Sequence, residues 1–233
     1  MDLQRAQQIL ETSLLMGVDF LPVATSNTVQ ESPLPPDTSS STLRANQQAR
    51  LDELAKIHDN TCPHCTKATG HKQTVFGVGN PSARLMFVGE APGSEEDRLG
   101  IPFVGAAGKK LDEIIKAMGM DREEVYIANV LKSRPPENRK PSPEEIAHCA
   151  PFLSQQIEVV EPEVLVALGG SAATYLLETQ IGITKLRGSW GDFCGIPVMP
   201  TFHPAYLLRN YTNETRSQIW SDLQQVMAKL TNS

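Results

Sequence analysis

From residue 83 onward the chain alternates between short apolar runs and stretches with helical spacing, and few folds accommodate that order. The runs are 84–89, 125–130 (VYIANV), 163–168 (EVLVAL) and 197–202 (PVMPTF), and helical patterns cover 106–118, 143–159, 170–178 and 215–230. A strand followed by a helix, four times over, predicts an α/β three-layer sandwich with a central four-stranded parallel sheet flanked by helices. In such a sheet the carboxyl ends of the strands lie along one edge. Glu90 follows the first run, Asn129 ends the second, Gly169-Gly170 close the third and His203 closes the fourth. Singly, a histidine before proline reads as structural and an asparagine after a strand as a turn residue. An acid, an amide and an imidazole at three strand ends are instead expected to meet in one crevice.

The stretch 89–108, GEAPGSEEDRLGIPFVGAAG, places Glu90 between Gly89 and Gly93, with Pro92 beside it. Glycine allows close backbone approach and proline fixes one φ angle, so the carboxylate leaves the sheet on a constrained turn. An acidic cluster, Glu95, Glu96 and Asp97, then Pro102-Phe103 and small residues lead into a helix near Lys109. By spacing alone this is equally a loop before a helix with solvated acids or part of a site.

Apolar residues make up 40% of the chain, enough for a core, and net charge is −6. That charge gives no global pull towards nucleic acid. Residues 132–140, KSRPPENRK, nonetheless hold four basic residues against one acid. From charge alone this is a solvated loop, although such a face can grip a phosphate backbone. No apolar run approaches the roughly 18 residues of a membrane span, and the N-terminus lacks a secretory pattern, so a cytoplasmic location is expected. Residues 1–20 show helical spacing, 25–42 are rich in Ser, Thr and Pro and read as a flexible linker, and 43–57 resume as helix. The expected division is an N-terminal helix and linker over 1–42 and a catalytic domain over 43–233. Of four cysteines, Cys62 and Cys65 form a CxxC pair, which in an intracellular chain suggests metal or redox chemistry.

These motifs resemble family 4 uracil-DNA glycosylases. GEAPGSEEDRLGIPFVGAAG is similar to the first motif of that family and HPAYLLRN at 203–210 to its second. FGVGNPSARLMFVG at 76–89, YIANVLKSRPPENRKP at 126–141 and LRGSWGDFCGIPVMPTFHPAYLLR at 186–209 also match. The resemblance covers about 60 to 230. It implies hydrolysis of the N-glycosidic bond of deoxyuridine in DNA, with release of uracil and an abasic site, by a monomer acting on single- or double-stranded DNA. It further implies that Phe103 stacks on the extruded base and Asn129 reads O4 and N3–H. His203 then donates to O2, and Glu90 orients water or stabilises the sugar cation. Glu96 matches a motif acid and is expected among the residues that contact the base, and Gly89 and Ala91 are expected to admit the base and offer backbone N–H groups. Leu207 and Leu208 resemble the wedge filling the gap left by the base, and Arg209, Arg134 and Arg139 are expected on phosphate.

The family resemblance also implies a structural 4Fe–4S cluster. Cys62, Cys65 and Cys149 match three ligands, but Ser133 stands where the remaining cysteine is expected. Thiolate is the preferred ligand for such clusters. The serine oxygen, Cys194 or a histidine such as His64 could replace it; a labile three-iron cluster, zinc or no metal are the other readings. Two further functions stay open: a non-catalytic iron–sulfur protein that binds DNA or senses oxidation, and a glycosylase of altered base preference, Ala91 and Ser94 being expected at the pocket entrance.

Overall fold

A computed structural model describes residues 38–68 and 70–232; the helix expected over 1–20 and most of the stretch read as a linker lie outside the described residues. One mixed sheet of six strands runs through the domain. In chain order the strands are β1 (Val78–Gly79), β2 (Leu85–Gly89), β3 (Tyr126–Asn129), β4 (Val164–Leu168), β5 (Gly191–Phe193) and β6 (Ile196–Thr201). Their order across the sheet is β1-β3-β2-β4-β6-β5. The middle four are parallel. The expected four-stranded sheet is thus corrected to six, because an antiparallel strand is added at each edge.

Each edge addition has a local cause. β5 and β6 form a hairpin whose two turn residues, Cys194 and Gly195, both have positive φ, at 52° and 87°. That is the turn geometry whose twist matches a hairpin. At the other edge a Cβ on Gly79 would lie 2.0 Å from the Val125 carbonyl oxygen, so only glycine fits this close pairing.

Among the described residues eight α-helices surround the sheet: α1 (Thr38–Thr61), α2 (Ser94–Leu99), α3 (Ala106–Ala117), α4 (Pro143–Val160), α5 (Gly170–Leu176), α6 (Ile183–Leu186), α7 (Pro204–Arg209) and α8 (Asn213–Thr231). Strand side chains alternate between two cores. Leu85, Phe87, Ile127, Val166 and Met199 pack under α3 and α8, with Leu111, Ile115, Ile219 and Leu223. Met86, Val88, Ala128, Leu165 and Val198 pack under α4 and α5, with Leu153, Ile157 and Ala173. Both faces of β2 and β4 are buried throughout, which is why those strands are unbroken apolar runs.

α1 is longer than the helix expected at 43–57 and takes in residues 38–42. It is anchored through Leu51 in the second core. Gln47 Nε2 donates to the Val159 carbonyl at 2.9 Å and its Oε1 accepts from the Ser82 hydroxyl. The C-terminal end of this helix therefore sits against the domain and delivers the CxxC pair. No helix among the described residues is long and apolar enough to cross a membrane.

Candidate active site

The carboxyl ends of β2, β3, β4 and β6 open into a cavity of about 520 Å³. Glu90, Asn129 and His203 all line it, together with Phe103 and Gly169. Its volume falls in the range of a ligand site.

Asn129 is the last residue of β3 and is 1% exposed. Its Oδ1 is buried with no hydrogen-bond partner. An unsatisfied buried acceptor costs about 1–3 kcal/mol, so its persistence points to a guest. A Cβ on Gly89 would lie 2.3 Å from that oxygen and 2.6 Å from the Phe103 ring, so the absence of a side chain there keeps the floor open.

Phe103 has φ of 53°, unusual for an aromatic residue. The loop around it is tied from three directions. Glu96 accepts from the N–H groups of Val104 at 2.9 Å and Gly105 at 2.8 Å, and from Gly93 at 3.1 Å. Arg122 donates to the Pro102 carbonyl at 2.6 Å. Gly108 lets α3 run against the Phe103 carbonyl, where a Cβ would sit 2.0 Å away. Glu96, expected among the base-contacting residues, therefore lines the cavity with its carboxylate already committed to the backbone.

His203 caps α7. Its Nδ1 accepts from the Ala205 N–H at 3.1 Å, which leaves the proton of the neutral ring on Nε2. Burial, with the Arg209 cation adding to it, pushes the imidazole down to about 4, so it is neutral at pH 7. Its ring lies 5.5 Å from that of Phe103 at 31°. Glu90 accepts from the Ser171 hydroxyl, a partner from the first turn of α5 that the sequence reading did not single out. The Gly169-Gly170 pair just before it was the only signal.

The rim is basic: Arg139, Lys140 and Arg209 line it. Arg139 is bound bidentately to Glu145 at 2.7 and 2.8 Å, and this pair holds the Glu145 carboxyl down to about 2. Arg134 donates to Asn138 Oδ1 at 2.7 Å. Leu208 is 43% exposed, whereas Leu207 is fully buried. The expectation that both leucines face DNA is corrected: the inner face of α7 packs Leu207 into the first core. Ala91 lines the cavity but Ser94, expected beside it at the entrance, does not.

Behind Ala91 lies a second polar corner. Cys62, Cys65 and Cys149 are buried together with Leu131. Cys149 Sγ lies 3.6 Å from Cys62 Sγ and 3.3 Å from Cys65 Sγ. Hydrogen bonding from Cys65 holds the Cys149 thiol well below its ordinary value, and the same contact pushes Cys65 up. Ser133 Oγ accepts from Cys65 Sγ at 3.3 Å. The fourth member of the group is His58: its donor atom and the three sulfurs all lie within 4.8 Å of one another. Three thiols and an imidazole, all buried, fit a soft metal or an iron–sulfur cluster. Neither suggested substitute joins them. Cys194 is exposed on the β5–β6 turn, and His64 Nδ1 lies 3.8 Å from Glu145.

Residues 76–224 match the model of the Uracil DNA glycosylase superfamily. The chain belongs to this superfamily. Within it, the chain is 46% identical over 177 residues to the type-4 uracil-DNA glycosylase of Thermotoga maritima, covering 75% of this chain and 92% of that one. Similar relatives are the type-4 enzymes of Sulfurisphaera tokodaii, 43% identical over 69% of this chain and 78% of the relative, and of Archaeoglobus fulgidus, 42% identical over 70% and 86%. The superfamily match spans every strand from β1 to β6, and thus the whole cavity.

Proposed function

We propose that this protein removes uracil from DNA by hydrolysing the bond between N1 of the base and C1′ of deoxyribose. The observation that carries the reading is the unpartnered Oδ1 of Asn129 in the cavity that Phe103 and His203 also line. Extruded uracil presents an N3–H donor to that oxygen and an O4 acceptor to the amide nitrogen. Cytosine presents the opposite pattern and leaves the buried amide mispaired, which is an effective ground for rejection.

Phe103 stacks on the flipped ring. As the glycosidic bond breaks, its electron pair passes to the base and negative charge gathers at O2. The Nε2–H of neutral His203 donates there, which stabilises the departing anion. Glu90, oriented by Ser171, stabilises the cationic sugar and takes a proton as water oxygen bonds to C1′. Arg209, with Arg139 and Arg134 behind it, receives phosphates, and the exposed Leu208 fills the space the base leaves. Glu96 acts through the loop it holds.

In this reading Cys62, Cys65 and Cys149 would hold a 4Fe–4S cluster, which would supply a structural cross-link between the end of α1 and α4. The protein works as a cytoplasmic monomer. The test is an oligonucleotide bearing one deoxyuridine, single-stranded or duplex, with deoxycytidine and thymidine controls. Free uracil and an alkali-labile site are expected from the first substrate alone. Intact DNA, or equal cleavage by Asn129→Ala, overturns the proposal.

A further inference from the structure

We propose that His58 is the fourth protein ligand of the metal centre held by Cys62, Cys65 and Cys149, and that Ser133 is not a ligand. The inference rests on the cluster reading above.

The His58 ring is wholly buried, its Nε2 makes no well-formed hydrogen bond, and the Cys149 thiol is a further polar group the ring engages besides Asp59. The other nitrogen, Nδ1, is held by Asp59 Oδ1 at 2.9 Å, and that oxygen also accepts from the Thr74 hydroxyl at 2.7 Å. A carboxylate on one ring nitrogen fixes the tautomer and turns the other into a lone-pair donor, which is how metal-bound histidines are oriented. The ring is further clamped between Phe152, edge-on at 4.8 Å, and Phe76 at 5.6 Å. A side chain this constrained, with its free nitrogen beside three thiols, is built to bind.

The helix supplies the register. Cys62 N–H donates to the His58 carbonyl at 2.9 Å, so the two residues stand one turn apart on one face. Ser133 is already satisfied by the Cys65 S–H, and a serine hydroxyl is a poorer partner for soft metal than imidazole or thiolate.

The experiment uses the full chain purified without oxygen. Iron, sulfide and zinc are counted, and the reduced protein is examined by pulsed electron paramagnetic resonance for nitrogen coupling. Wild type is expected to hold about four iron and four sulfide per chain, with the strong coupling of a directly bound imidazole. His58→Cys should keep the iron and lose that coupling. His58→Ala should lose at least one iron per cluster, and Ser133→Ala none. Coupling that survives His58→Cys, or iron lost from Ser133→Ala but not from His58→Ala, overturns the assignment. Zinc in place of iron and sulfide ends the cluster reading alone. The same variants then decide the ligand: zinc retained in full by His58→Ala overturns it, and zinc lost there but kept by His58→Cys upholds it. Should His58→Ala fail to fold, the coupling in His58→Cys still decides.

Discussion

Two polar corners meet at Ala91, which lines the cavity on one side and packs against the cysteines on the other. Both are buried and both contain atoms without partners, but they are incomplete in different ways. The cavity is held open by groups that are themselves satisfied: Glu96 binds three backbone N–H groups, Ser171 holds Glu90, and Ala205 holds His203. Among the groups that line the cavity, Asn129 Oδ1 is the buried atom left without a partner. In the metal corner the donors themselves face one another. A site that turns over its guest must stand without it, whereas a site with a resident ion draws stability from it.

Breaking the metal corner should have the largest effect. Stripping the metal, or Cys149→Ala, is expected to remove several kcal/mol of stability, seen as a large fall in Tm. Removing a side chain that faces the guest should change Tm far less. His203→Ala is expected to lower kcat about 10²- to 10³-fold, the range for removing one donor to a developing anion, without loss of fold. If both variants lost activity and Tm alike, the contrast between the two corners would collapse.

Acid sharpens the same contrast. Burial holds His203 near 4, below an ordinary histidine. Between about pH 6.5 and 4 the unfolded chain therefore binds a proton that the folded chain does not. Stability is full above that window and falls by up to about 3 kcal/mol as pH drops through it. Melts of His203→Gln across the window should be correspondingly flatter. Glu96→Ala strands three N–H groups and frees the Phe103 loop; a loss of about 2 kcal/mol in denaturant titration is expected, with KM rising as the stacking ring loses its place. Smallest is Ser171→Ala, which leaves the fold intact and should lower kcat about 10-fold by loosening Glu90. An unchanged kcat there would remove Ser171 from the positioning set.

Much of the frame was legible beforehand. β2 and β4 are buried on both faces, so they appear in sequence as unbroken apolar runs, and the residues at their tips share an edge because the strands are parallel. The missing pieces were those without periodicity. β1 has two residues and β5 three, too short for an alternating pattern. Leu207 and Leu208 are identical neighbours, and only the packing of a six-residue helix chose which to bury. His58 lay one residue past the expected helix end; extending that helix to Thr61 puts it a turn before Cys62. The type-4 glycosylase relatives favour catalysis over the sensing reading.

What the sequence by itself determined is the order of strands and helices, and with it the edge on which Glu90, Asn129 and His203 stand, because burial on both faces and crossover handedness leave little choice. What only the tertiary structure decided is which polar atoms stay unpaired. That depends on distances between segments as far apart as Cys62 and Cys149, or Gly89 and Asn129, and no local pattern encodes a partner that is absent.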